Sequence, residues 1–181
     1  MPDVLILTGP PGAGKSTVAE ALAERYDRVA HIDVGVLRGF VAPTGRGPSE
    51  VRERLQPLSV RNACAIALNF LTERIAVIID DIVITQDDLD NYVEGLKPAG
   101  DAIHFVRLLP SLEVCQARNV QRAESRQPPS RVEATWRQFV AAGEIGGATI
   151  DSSALSAYEA ADRLQALTTS GESIVWRPGV H

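Results

Sequence analysis

Apolar residues fall along this chain in two rhythms. Short runs that are apolar at nearly every position read as strands buried on both faces. These are Val4-Leu5-Ile6-Leu7, Ile75-Ala76-Val77-Ile78-Ile79, and Ala102 to Leu109. Two shorter runs, Arg28 to Ile32 and Ala148 to Asp151, read as further strands. Longer stretches with apolar residues every three or four positions read as helices. They run over Thr17 to Arg25, about Ser59 to Arg74, Leu89 to Lys97, Leu112 to about Ala123, Arg131 to Ala142, and Ala154 to Thr168. Ser49, with Glu50 and Glu53 behind it, predicts a helix start that Pro57 would break or kink. Val34 to Pro48 is rich in Gly and Pro and is not expected to be regular throughout. The tail Ser173 to Pro178 fits an added edge strand or an arm.

Five strands separated by helices predict an α/β fold: three layers, with a mostly parallel five-stranded sheet covered by helices on both faces. The 181 residues suit a single domain over 1–181. Sheets of this kind bind ligands beyond the carboxyl ends of their strands. The residues after Leu7, Asp33 and the pair Asp80-Asp81 all fall at such ends, so one edge gathers a glycine-rich turn and several carboxylates.

That turn is the most specific signal. Gly9-Pro10-Pro11-Gly12-Ala13-Gly14-Lys15-Ser16 matches G-x-x-x-x-G-K-[ST] at every fixed position, between a strand and a helix that begins with Thr17. Glycines leave main-chain N–H groups unobstructed to converge on a phosphate chain, and the helix N-terminus adds partial positive charge. Lys15 is expected on the β- and γ-phosphates and the Ser16 hydroxyl on Mg²⁺. The competing reading is an ordinary glycine-rich turn with a surface lysine.

Asp33, ending the second strand, fits a general base or an orienting group for an attacking hydroxyl, or else a helix N-cap. Asp80-Asp81 fits a metal-binding carboxylate plus a partner that contacts substrate or caps the next turn, with Asp80 favoured for the metal. Arg118, Arg122, Arg126 and Arg131 recur at intervals of four, four and five. With the phosphate loop in the same chain they suggest a lid, at about 123–131, that closes over ATP, Arg122 and Arg126 neutralising the phosphoryl group in flight. The alternative is a solvated helix pairing with Glu113, Glu124 and Glu133. Arg38 and Arg46 are candidates for an anionic or polar acceptor. His31 and His104 lie within predicted strands and read as packed or hydrogen-bonded in the core.

Composition narrows the partners. Hydrophobic residues make up 45%, and no apolar run approaches the ~20 residues of a membrane span. Lys+Arg 18 against Asp+Glu 23 gives −5, which argues against a general nucleic-acid binder. With the first strand at the N-terminus, a signal peptide has no room, and Cys64 and Cys115 read as reduced core thiols of a cytoplasmic protein. A homodimer is compatible with the sequence.

These motifs together resemble the small P-loop kinases of the nucleoside/nucleotide-kinase-like fold. The likeness rests on Gly9 to Thr17, Asp33, Ile78-Ile79-Asp80-Asp81, Arg118-Asn119-Val120-Gln121-Arg122 and Thr149-Ile150-Asp151-Ser152-Ser153. The Ile-Asp-Asp strand end is similar to that of chloramphenicol phosphotransferase. The stretch from Arg118 through Pro128, Val132, Trp136, Arg137 and Phe139 is similar to polynucleotide-kinase-like kinase domains. The resemblance implies Arg118 against the adenine, Asp151 near it, and Arg122 and Arg126 as lid arginines on the phosphates. Gly35-Val36-Leu37-Arg38 lacks the aspartate of adenylate kinases, and the Asn-Lys-x-Asp of small GTPases is absent.

The expected function is therefore an ATP- and Mg²⁺-dependent phosphotransferase acting on a hydroxyl of a small molecule. Lys15, Asp33, Arg122 and Arg126 would serve catalysis; Gly9 to Thr17, Arg118 and Asp151 the nucleotide; Asp33, Arg38 and Asp81 the acceptor; Ser16 and Asp80 the metal. The alternatives are a polynucleotide 5'-hydroxyl kinase, and a nucleotide-binding regulatory ATPase with no small-molecule acceptor.

Overall fold

The computed structural model describes residues 3–41, 49–121 and 127–179, with side chains in the second segment from Leu55 onward. The expected five-stranded parallel sheet is present. Its strands are β1 (Val4–Thr8), β2 (Val29–Asp33), β3 (Ala76–Asp80), β4 (Ile103–Leu108) and β5 (Ala148–Ile150), in the spatial order β2-β3-β1-β4-β5. The tail supplies a sixth strand, β6 (Ile174–Trp176), antiparallel to β4. It pairs with Ile103 and His104, while β5 pairs with Val106 to Leu108, so the two short strands share one side of β4 end to end.

Strand alternation divides the core in two. Val4, Ile6, Val77, Ile79, Ile103 and Phe105 face one side, against α3 (Ser49–Thr72) and α4 (Gln86–Leu96). Leu5, Leu7, Ile78, Val106 and Leu108 face the other, against α1 (Lys15–Ala23) and α7 (Ala157–Ser170). Helices α5 (Leu112–Val120) and α6 (Pro129–Ala142) pack together beyond the β4 end, and Trp136 Nε1 donates to Pro110 O over 2.9 Å.

Of the break or kink expected at Pro57, the break does not occur: α3 runs through it as one helix. Val60, Ala63, Cys64 and Ala67 of that helix are all buried, and this burial outweighs the loss of one main-chain donor. The Ser59 hydroxyl donates to Leu55 O across 2.8 Å, satisfying a carbonyl on the same turn. The Gly/Pro-rich stretch after β2 opens with a short helix, α2 (Val34–Gly39), because the Asp33 side chain caps it. Cys64 and Cys115 are free and buried, and no helix among the described residues is long and apolar enough to cross a membrane.

Candidate active site

The glycine-rich turn leaves β1 at the point where strand order reverses, with β3 on one side and β4 on the other. Its backbone has three glycines at positive φ: Gly9 at 153°, Gly12 at 85° and Gly14 at 95°. Space matters as much as torsion. A Cβ on Gly9 would stand 2.3 Å from Leu108 O, and one on Gly12 2.1 Å from Cys115 O. The turn is thus wedged against the end of β4 and the first turns of α5, and Gly14 caps α1 directly before Lys15. The Lys15 ammonium folds back to donate to Gly9 O at 2.9 Å and Pro10 O at 3.4 Å.

Two hydrogen bonds place the carboxylates opposite this turn. Val83 N donates to Thr8 Oγ1 over 2.8 Å, and the Thr8 hydroxyl donates to Val83 O over 3.2 Å. The chain leaving β3 is thereby bound to the end of β1. Asp80 turns toward α1, as its register with Leu7 requires. The Ser16 hydroxyl donates to Asp80 Oδ2 at 2.6 Å, Lys15 Nζ is 3.9 Å from Oδ1, and His31 Nε2 is 3.8 Å from Oδ2. Burial alone would raise the Asp80 carboxyl; His31, Lys15 and the Ser16 hydroxyl outweigh it and hold Asp80 below the ordinary carboxylate range.

Asp81 faces the other layer. Ile82 N donates to its Oδ1 at 2.7 Å, the Tyr92 hydroxyl to its Oδ2 at 2.7 Å, and Arg38 forms an ion pair with Oδ1. Its side chain is 1% exposed while that of Arg38 is 24% exposed. The expected substrate contact through Asp81 is thus not presented to solvent: both oxygens are engaged internally, and Arg38 is the member of the pair that reaches the surface. Asp33 is the register partner of Asp80 on the neighbouring strand. Its Oδ1 accepts from Gly35 N at 2.7 Å and Val36 N at 3.3 Å, so one oxygen serves the α2 cap.

On the far side of the turn lies a cleft of about 430 Å³, lined by Gly14, Thr17, Arg118, Ser152, Leu155 and Ala157 among others. Arg118 spans its floor. Nη1 donates to Ala13 O at 3.2 Å, and Nη2 to Ser152 O at 3.0 Å and Leu155 O at 3.3 Å. Asp151 does not line this cleft. It is exposed, and its Oδ1 accepts from Ser153 N and Ser153 Oγ, which lower its pKa. The lining passes instead through the next residue, Ser152. Beside it, the buried Asn119 side chain donates to Gln127 O at 2.9 Å and accepts from Gln127 N at 3.0 Å. Arg46, Arg122 and Arg126 lie outside the described residues.

The site thus joins Lys15, Ser16, Asp80, and, by register, Asp33 on one face of the sheet. Sequence reasoning gave no role in the site to four contributors. Thr8 gave no signal, being one more strand residue. Ser152 stood only within the strand end over 149–153, where Asp151 drew the expectation, and Leu155 carries no motif. His31 had one available: it stands two residues before Asp33, and period-two alternation puts both on one face.

The profile of a family described as an AAA domain matches residues 4–144. No curated protein matches the chain significantly. Solved structures of similar fold include a sugar kinase from Janibacter sp. HTCC2649, at 17% identity and TM-score 0.71, covering 91% of this chain and 93% of that one. A gluconokinase from Sinorhizobium meliloti 1021 matches at 19% identity and TM-score 0.68, covering 94% of each chain. Shikimate kinase from Acinetobacter baumannii, in complex with shikimate, matches at 23% identity and TM-score 0.60, again over 94% of each. At these identities the likeness is one of fold.

Proposed function

The chain belongs to the AAA-domain family, and from that premise we propose that it is an ATP- and Mg²⁺-dependent kinase that phosphorylates a hydroxyl of a small molecule. One observation carries the reading. The Ser16 hydroxyl, one residue after the loop lysine, is hydrogen-bonded at 2.6 Å to Asp80, whose strand neighbour in register is Asp33. A hydroxyl and an ionised carboxylate at that spacing form a hard oxygen pair. They suit a cation that takes one or two protein ligands and completes its shell from phosphates and water. Bound there, Mg²⁺ would offset the charge on the β- and γ-phosphate oxygens.

The chain's own groups divide the remaining work. The loop glycines let backbone N–H groups approach a phosphate chain without steric hindrance. Lys15 exchanges the weak acceptors Gly9 O and Pro10 O for phosphate oxygens. The cleft beside Arg118 takes the nucleoside, with Arg118 holding its walls together rather than closing over it. Asp33 keeps an oxygen beyond its cap bonds, with which it orients the acceptor hydroxyl or takes its proton. Arg38, held by Asp81 and partly exposed, contacts the acceptor. Arg122 and Arg126 keep the phosphoryl-stabilising role expected from their sequence positions.

The test is an ATP-consumption screen over sugars, antibiotics, nucleosides and 5'-hydroxyl oligonucleotides, run with the parent chain and Asp33→Asn. An accepting compound is expected to stimulate turnover, and Asp33→Asn to lose about 10²-fold or more of it with ATP affinity kept. Unchanged turnover in Asp33→Asn would remove that residue from the reaction. Stimulation by the oligonucleotide alone would replace the small-molecule reading.

A further inference from the structure

His31 is a half-buried polar residue beside Asp80 that the reaction outlined above leaves unused. Its Nε2 is enclosed and has no hydrogen-bond partner among the described residues. It points at Asp80, 3.8 Å from Oδ2. That separation is longer than a hydrogen bond and short enough for strong electrostatic coupling. The side chain is 21% exposed. Strand geometry fixes this placement: His31 is in register with Ile78 and Asp33 with Asp80, so His31 lies under the Asp33–Asp80 pair on the same face.

The facing atoms decide the tautomer. A bare nitrogen lone pair turned toward a carboxylate would be repelled, whereas an N–H is attracted. Nε2 therefore carries hydrogen and turns its positive end toward Asp80 Oδ2, within reach of a hydrogen bond after a small shift of either side chain. That oxygen already accepts from Ser16 and has a second lone pair to offer.

Lys15 supplies the reason such a donor is needed. Lys15 lies on the Gly9 and Pro10 carbonyls, 3.9 Å from Asp80 Oδ1. Movement of its ammonium onto a phosphate chain withdraws that positive charge from Asp80. Ser16 must then share its hydroxyl oxygen with a metal. Of the three groups beside Asp80, only His31 is set in a strand and free of both tasks.

We propose that His31 is a positioning residue for the metal site, its Nε2–H holding the Asp80 carboxylate in the orientation shared with Ser16 when Lys15 leaves for the phosphates. The inference rests on the kinase reading. Partners that orient a metal-ligating carboxylate in this way typically change metal affinity 10- to 100-fold when removed.

The experiment titrates the full chain with the β,γ-imido analogue of ATP, by calorimetry, across a Mg²⁺ series and in EDTA. The forms compared are the parent, His31→Phe and His31→Gln. Phe keeps the ring volume without the donor; Gln puts an amide nitrogen where Nε2 stands. The parent is expected to bind more tightly as Mg²⁺ rises. His31→Phe should need about tenfold more Mg²⁺ for the same gain, with its affinity in EDTA unchanged. His31→Gln should fall close to the parent.

A His31→Phe response that matches the parent overturns the inference. So does an equal loss in His31→Gln, or a loss of affinity in EDTA as large as that in Mg²⁺, which would mark a packing role. A parent indifferent to Mg²⁺ overturns the kinase reading itself and this inference with it.

Discussion

The Tyr92 hydroxyl donates to Asp81 Oδ2 at 2.7 Å, and neither residue is open to water: Tyr92 is 0% exposed and Asp81 3%. A buried carboxylate is stable only when its lone pairs are met, and here Ile82 N, Tyr92 and Arg38 share that task. Burial first, and then Asp81, push the Tyr92 phenol upward, so it stays a donor at any ordinary pH. Tyr92→Phe removes the donor and leaves the acceptor in place. It is expected to lower unfolding stability by ~1–3 kcal/mol. Urea denaturation measures this; an unchanged midpoint with unchanged slope would mean that water replaces the hydroxyl.

The two glycines of the loop that flank Ala13 should respond unequally to alanine. Both sit at positive φ, which strains any other residue by roughly 1–2 kcal/mol. Gly14 has room: a Cβ there meets nothing nearer than Arg118 Nη1 at 3.6 Å. Gly12 has none, with Cys115 O at 2.1 Å and Cys115 Cα at 3.0 Å. Gly14→Ala is expected to fold with a loss near that strain alone. Gly12→Ala must also push α5 away and should lose distinctly more. Thermal unfolding of the two variants side by side decides it, and equal losses would show that the loop moves as easily as the helix.

How far the chain could be read in advance depended on distance along it. The phosphate loop, Asp33 and Asp80 were legible because their signals are local: a glycine pattern, and carboxylates ending apolar runs. Asp81 resisted, since its partners Arg38 and Tyr92 lie 43 and 11 positions away and only the fold unites them. Asp33 was read as a base or orienting group in preference to a cap, and its cap bonds establish the cap without touching the other role. Pro57 misled because a local preference met a long buried helix face, and tertiary burial won. The cleft beside Arg118 left little trace in sequence, being walled largely by small residues and main chain. The carboxylate next to it in sequence, Asp151, drew the expectation, while Ser152 lines the space.

Arg118 makes a prediction about charge versus shape. Its guanidinium reaches three main-chain carbonyls, on Ala13 of the loop and on Ser152 and Leu155 before α7. A planar fork can bridge these; an ammonium on a flexible stem keeps the charge but not the geometry. Arg118→Lys is therefore expected to weaken ATP binding nearly as much as Arg118→Ala, by about tenfold, corresponding to the ~1.4 kcal/mol of roughly one charge-assisted bond. Calorimetric ATP titration reads both. A lysine variant that binds like the parent would reduce Arg118 to a point charge beside the phosphates.

His104 predicts how acid acts on the C-terminal strand. Its Nδ1 lies 2.8 Å from Ser173 Oγ, and that hydroxyl already donates to Leu167 O at 3.2 Å. Ser173 therefore accepts, and His104 donates from Nδ1. Burial, with some help from Arg177, lowers the His104 pKa from its ordinary 6.5, while Asp3 opposes the shift. A histidine depressed on folding takes up a proton more readily when unfolded, so the unfolded chain binds more protons between the folded value and 6.5. The contribution is complete above that ordinary value and is lost as pH falls toward the folded one. His104→Gln cannot titrate, and it is expected to flatten the part of the stability–pH curve that lies just below pH 6.5. Urea midpoints for parent and variant, taken at intervals from about pH 7.5 to about pH 5, make the comparison within the range where His titrates. Parallel curves would show that His104 takes a proton as easily in the fold as out of it, and that the junction of β4, β6 and α7 is open to water.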